Sequence, residues 1–311
     1  MSSAHVVVLV SGGAAVTPFT TPTAAAGVGQ AAGNTLTALR AALLAAGHEV
    51  FTAPARVGAG EAAEDTGWEG FSAVPEVLPA AMTINAVGGI DEAGAALDAF
   101  LEHLVATRGA GSFDLVGHSM GGLIARAAIG ARRARRDAMP VRRLVTLGTP
   151  WTGALLGDVV AGELTIADAG GDAMTQRILR ESERYAAEHS QGAAEQVSRR
   201  YLAGPGGWNA RQAGALDGVA VTAIAGSACA ARDAPESLWP HDGLVSRRSA
   251  LAIDVPAAVL PGAERAEFDD VHSIFFADVL GLPWERALTW DPAVLDVVSE
   301  ALGSRSAETP H

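Results

Sequence analysis

Lysine is absent from this chain, so every fixed positive side chain is an arginine. Asp and Glu total 35 against 22 arginines, and the formal charge of −13 opposes nucleic acid or an anionic membrane as the principal partner. Cysteine is nearly absent: Cys229 stands alone, which excludes an intramolecular disulfide. Nothing around it has metal-ligand spacing, so it reads as a small buried residue rather than a nucleophile. No metal and no cofactor is expected. Long apolar runs are missing too, since Val6-Val7-Val8-Leu9-Val10 is far too short to span a bilayer. Met1-Ser2-Ser3-Ala4-His5 lacks the basic start of a signal peptide, and the sequence reads as cytoplasmic, without stable membrane insertion. Aromatics are 5% of residues while 49% are hydrophobic, so the core is expected to be built from alanine, valine and leucine.

What is present suggests one α/β domain across 1–311. Val6 to Val10 is continuous rather than alternating, which suits a strand buried on both faces of a parallel sheet, and Gly12 and Gly13 end it. A helix is predicted over Thr35–Ala46, where Leu36, Leu39, Leu43 and Leu44 recur and Gly47 stops it; the next strand is Glu49–Ala53. Ala55 to Gly89 reads as a long excursion, Asp91 to Ala106 as a helix, and Phe113–Val116 as a strand. A helix-prone run from Leu123 to Ile129 and a strand at Arg143–Leu147 follow. Arg132, Arg133, Arg135, Arg136, Arg142 and Arg143 read as a solvated helix end and the loop before that strand. The alternation implies a mostly parallel sheet with helices on both faces. It stops from Trp151 to Asp217, a polar helical segment with Met174, Ile178 and Tyr185 at helical spacing, expected to be a cap or lid insertion. Strands are expected again at Val219–Ile224 and Ala257–Leu260, and a closing helix over Pro292–Leu302.

Gly117-His118-Ser119-Met120-Gly121 lies at a predicted strand-to-helix junction. A sharp reversal there needs small neighbours, and the serine at its tip projects into a cleft. In a chain with 36 glycines the pattern alone is weak; its place between strand and helix gives it weight. Ligands bind beyond the carboxyl ends of parallel strands, so the loops after successive strands should converge. The loop after the last strand offers His272 as a general base for Ser119. His5 and His48 precede strands, His103 lies in a helix, His189 lies in the insertion, and His118 points away from Ser119 around a tight turn. Asp242, in an Asp-Gly turn, is the expected carboxylate partner of His272, with Asp270 and Asp254 as rivals. An oxyanion would be held by the main-chain N–H groups of Met120 and Gly13. Trp151, Trp239 and Phe275, with Met120 and Phe276, are candidates for an apolar acyl pocket.

Together Asp114–Leu123, Leu144–Pro150 and Asp242–Val245 resemble the lipase and esterase branch of the α/β-hydrolase superfamily, including bacterial triacylglycerol lipases. The resemblance implies an α/β-hydrolase fold with Ser119 as nucleophile, Asp242 as acid and His272 as base, in that family's order. Two positions depart from it: Ser11-Gly12 stands where many relatives have His-Gly, and Ser273 stands where some bacterial lipases carry a calcium-binding aspartate. The expected activity is hydrolysis of a small-molecule or lipid carboxylic ester through an acyl-enzyme. Acyl transfer to an alcohol, or ligand binding without catalysis on the same fold, are the alternatives.

Overall fold

In a computed structural model, which describes residues 4–22, 34–63, 76–135, 140–169, 171–189, 192–230 and 238–303, the chain alternates strand and helix. The strands are β1 (Ala4–Val10), β2 (Val50–Thr52), β3 (Ala55–Arg56), β4 (Ile84–Asn85), β5 (Ala110–His118), β6 (Val141–Leu147), β7 (Ala220–Gly226) and β8 (Glu264–Phe268). Six of them form a parallel sheet in the order β2-β1-β5-β6-β7-β8, while β3 and β4 pair separately.

Helices α1 (Thr37–Ala45), α2 (Ile90–Arg108), α3 (Met120–Ala134) and, last in the chain, α11 (Pro292–Leu302) cover the sheet. Val6, Val8 and Val10 of β1 join Leu97, Phe100 and Leu101 of α2 and Leu123 of α3 in one buried cluster. Val7 and Leu9 join Leu39 and Leu43 of α1 and Val294 and Val298 of α11 in another. Successive side chains leave a strand on opposite faces, so a strand covered on both sides needs every position apolar. That is why β1 is an unbroken run. Helix α11 starts where Pro292 fits the first turn and Asp291 accepts the Ala293 N–H at 2.8 Å.

The strand expected at Ala257–Leu260 is not formed; that stretch is a turn whose Val259 and Leu260 are buried. The last strand is instead Glu264-Arg265-Ala266-Glu267-Phe268. It has β7 as its one neighbour in the sheet order, and its Ala266 and Phe268 pack against the core while Glu264, Arg265 and Glu267 face solvent. An edge strand covered on one face alternates, and a search for apolar runs passes over it.

The arginine cluster also differs from its reading as a solvated helix end. Arg132 is buried, with a guanidinium nitrogen 2.7 Å from Asp98 of α2, and Arg135 pairs with the same carboxylate and with Glu102. At the amino ends of the strands His5 lies 2.8 Å from Ser112 Oγ through Nδ1 and 2.7 Å from Asp114 Oδ2 through Nε2. Arg142 and Arg143 flank that buried carboxylate. Arg136, and the side chains of Tyr185 and His189, lie outside the described residues.

Between β6 and β7 the chain forms α4 (Leu155–Val160), α5 (Ala173–His189), α6 (Ala193–Gln196), α7 (Arg199–Ala203) and α8 (Trp208–Arg211). Polar contacts tie this segment to the rest. Trp208 Nε1–H donates to Asp91 Oδ1, and the Ile90 N–H to Gln196 Oε1, each at 2.8 Å. Arg126 of α3 is fully buried, 4.8 Å from the Trp151 ring centroid and 4.3 Å from that of Trp208, and it donates to Asn209. Burial lowers its pKa to about 9. Two further helices, α9 (Arg247–Ala250) and α10 (Ile274–Leu280), follow β7 and β8.

Candidate active site

Ser119 stands between the end of β5 and the start of α3 with φ +56° and ψ −132°. A non-glycine residue in such a conformation is strained by about 1–3 kcal/mol and persists only where its surroundings enforce it. Here the Ser119 N–H donates to Leu147 O of β6 at 2.8 Å, and Thr149 Oγ1 donates to Ser119 O at 2.8 Å. The close packing of the turn explains its glycines. A Cβ at Gly121 would lie 2.3 Å from Val10 O, and one at Gly12 would lie 2.5 Å from Ser119 Cβ. The loop after β1 therefore packs directly on the serine.

His272 and Asp242 come from the loops after β8 and β7. His272 Nδ1 lies 2.7 Å from Asp242 Oδ2, and the His272 N–H donates to Asp242 O, also at 2.7 Å. The second carboxylate oxygen, Oδ1, accepts the N–H groups of Leu244 at 2.9 Å and Val245 at 2.7 Å. Both residues are buried. An ionised carboxylate can only accept, so Nδ1 carries the proton of a neutral His272 and Nε2 keeps its lone pair. Among the described residues Nε2 has no hydrogen-bond partner and Ser119 Oγ is not bonded to it; both residues line one cavity of about 190 Å³. Gly148, with φ +58° after β6, backs the pair: a Cβ there would lie 2.9 Å from His272 Nδ1 and 3.0 Å from Asp242 Oδ2.

Gly13, Met120, Phe275 and Phe276 line that cavity with Ser119 and His272. Met120 opens α3, where an N–H has no acceptor within the helix. The Gly13 N–H makes no hydrogen bond among the described residues. Trp151 and Trp239 are placed elsewhere. Trp151 is fully buried in the core with Nε1–H directed to Thr146 Oγ1, and Trp239 packs among Leu155, Ala169 and Leu179. Of the two rival carboxylates, Asp254 is ion-paired with Arg248 on the surface. Asp270 is turned toward Asp291 and Arg286, and burial together with the Asp291 hydrogen bond raises its pKa to about 7.

Two buried histidines flank these residues in sequence. His118 Nε2–H donates to the main-chain oxygen of His272 at 2.8 Å, linking the serine turn to the loop that carries His272. Burial, then the proximity of His272, lowers its pKa to about 3, so it stays uncharged. His241, beside Asp242, is fully buried, and Nδ1 accepts the Gly243 N–H at 2.9 Å. Burial brings its pKa down to about 4 against the opposing pull of Asp242 and Asp172. In the sequence His241 carries no signal beyond its place next to Asp242. Cys229 is buried and its thiol is pushed up to about 12, so it stays protonated. Among the described residues no cluster suited to a metal ion occurs.

Six parallel strands with helices on both faces, and the strand–serine–helix turn after the third strand of the sheet order, define the α/β-hydrolase fold. A family model described as a PGAP1-like alpha/beta domain matches residues 98–163, a stretch that holds the Ser119 turn. No curated protein matches the chain. Among solved structures, the mature form of a lipase from Bacillus licheniformis is 14% identical, covering 85% of this chain and 85% of its own with a TM-score of 0.48. An esterase from Pyrococcus furiosus is 13% identical over 97% of this chain and 83% of its own, with a TM-score of 0.47. A carboxylesterase from Bacillus subtilis is 12% identical over 97% of this chain and 85% of its own, with a TM-score of 0.47.

Proposed function

We propose that this protein is a serine hydrolase that cleaves carboxylic esters, with Ser119 as nucleophile, His272 as general base and Asp242 as the acid behind it. The observation that carries this reading is the shared cavity, where a strained serine faces a histidine whose far nitrogen is held by a buried carboxylate. Ser119 Oγ attacks the ester carbonyl carbon while its proton passes to His272 Nε2, and Asp242 steadies the imidazolium that forms. The contact between Oγ and Nε2 is often loose without substrate and tightens around it. The N–H groups of Met120 and Gly13 receive the oxyanion, each worth about 3 kcal/mol of transition-state stabilisation. The protonated imidazole returns its proton to the departing alcohol, and water then releases the acid from the acyl-serine.

The segment 151–217 acts in this reading as a cap within one domain, contributing Ala154, Leu156 and Val197 to the cavity wall. Its contacts through Trp208, Gln196 and Arg126 support a fixed cap over a mobile lid. A fixed cap suits dissolved esters. The test is hydrolysis of nitrophenyl esters of increasing chain length, below and above their solubility limits, with Ser119→Ala as control. We expect turnover lost in the control and no rate jump when an ester interface forms. A jump would make the segment a lid, and turnover surviving in Ser119→Ala would remove the serine from the chemistry.

A further inference from the structure

We infer that His241 is a positioning residue for Asp242, wired through Thr175 to Asp172 at the start of α5, so that the segment between β6 and β7 helps to hold the acid in place. The inference rests on the reading of Asp242 as the acid of the site.

The proton positions along this path are forced one by one. The Gly243 N–H can only donate, so His241 Nδ1 must be the acceptor and the imidazole proton sits on Nε2. Nε2–H lies 2.9 Å from Thr175 Oγ1 and donates to it. The threonine hydroxyl has one hydrogen, which goes to Asp172 Oδ2, an acceptor-only group. Asp172 Oδ2 also accepts the Thr175 N–H at 2.8 Å, closing a turn at the head of α5. Thr175 and His241 are buried, so neither can exchange these partners for water at no cost.

The consequence for Asp242 lies in the turn it shares with Gly243. The N–H groups of Leu244 and Val245 hold Asp242 Oδ1, and the Gly243 N–H is tied to His241. If His241 carried its proton on Nδ1 instead, two N–H groups would face each other and the turn would have to move. Thr175 supplies the acceptor that the Nε2–H of the required tautomer needs in a buried site. A side chain of the intervening helical segment thereby fixes the turn that aims the carboxylate at His272.

Thr175→Val removes the hydroxyl and preserves the shape; Thr175→Ser restores the hydroxyl. For Thr175→Val we expect kcat to fall roughly ten-fold with KM unchanged, the effect of a misaimed catalytic group, and Thr175→Ser to lie near wild type. Imidazole nitrogen NMR should show His241 as the Nε2–H tautomer in the wild type, with that signature lost in Thr175→Val. Wild-type kcat in Thr175→Val, equal losses in the Val and Ser variants, or a His241 proton on Nδ1 in the wild type would each overturn the inference. Should Thr175→Val not fold, Asp172→Ala breaks the same path from its more exposed end: a kcat loss at constant KM supports the relay, and unchanged kcat overturns it. A wild-type protein that fails to hydrolyse esters or to take an organophosphate on Ser119 would instead count against the proposed function, whatever the tautomer.

Discussion

At the scale of single residues, Ser119 sets stability against the chemistry proposed for it. Its φ of +56° places the hydroxyl in the cavity at a conformational cost that alanine would share and glycine would escape. Ser119→Gly and Ser119→Ala should both be inactive, but the glycine variant should be the more stable by roughly 1 kcal/mol, strain relief being partly offset by backbone entropy. Equal unfolding midpoints in urea would show that the turn is not strained. The serine was legible in the sequence because a tight turn demands small neighbours and leaves that demand written as Gly117, Gly121 and Gly122. The placement of Trp151 and Trp239 was not legible. An aromatic side chain in a loop beyond a strand can turn upward into the cleft or downward into the core, and the choice depends on partners such as Arg126 and Leu179 that lie far away in sequence.

At the scale of elements, the loop carrying His272 is anchored to α11 by a pair of carboxyl groups. Asp270 is hydrogen-bonded to Asp291, which also caps α11, and its pKa is raised to about 7. A carboxyl group raised in this way binds its proton more tightly folded than unfolded, so it loses stability for the protein as pH climbs from near 4 to near 7. Asp270→Asn, which cannot ionise, should therefore be more stable than wild type at pH 8, on the order of 1 kcal/mol after solvent screening, and should match it near pH 4. Its ester hydrolysis should persist, whereas Asp242→Asn should lower kcat by orders of magnitude. The opposite pattern of activity would exchange the two carboxylates. Most elements could be read from apolar periodicity, and α11 falls on its expected bounds. Strand β8 escaped because Glu264, Arg265 and Glu267 face water at the sheet edge, and with it went the correct spacing to His272.

At the scale of the whole molecule, buried histidines and carboxyl groups of opposite sense shape how stability depends on pH. His118 and His241, lowered from 6.5 to about 3 and about 4, bind fewer protons folded than unfolded in acid, so stability falls as pH drops below 6.5. Asp270, raised from 3.8 to about 7, acts in the opposite sense over much of the same range. The two histidine shifts together exceed that of Asp270, while buried Asp158, also raised by burial, adds to the opposing sense, so stability should rise with pH toward 6.5 by less than about 1.4 kcal/mol per unit. Urea unfolding at several pH values checks this, and a maximum below pH 5 would contradict it. The site's three loops could be anticipated from strand order because parallel strands direct their ends one way; the helical character of the segment above them could be too, but its anchoring could not, since that depends on tertiary partners. The same polarity settles a question raised by His5, which bridges Ser112 and Asp114 at the other end of the sheet. Judged by residue types and bond lengths alone, the protein holds a second Ser–His–Asp set, a decoy for any search by template. Among the described residues Ser112 lies within strand β5 rather than on a strained turn or at a helix start, so a serine-directed phosphonate should mark Ser119 and leave Ser112 unmodified.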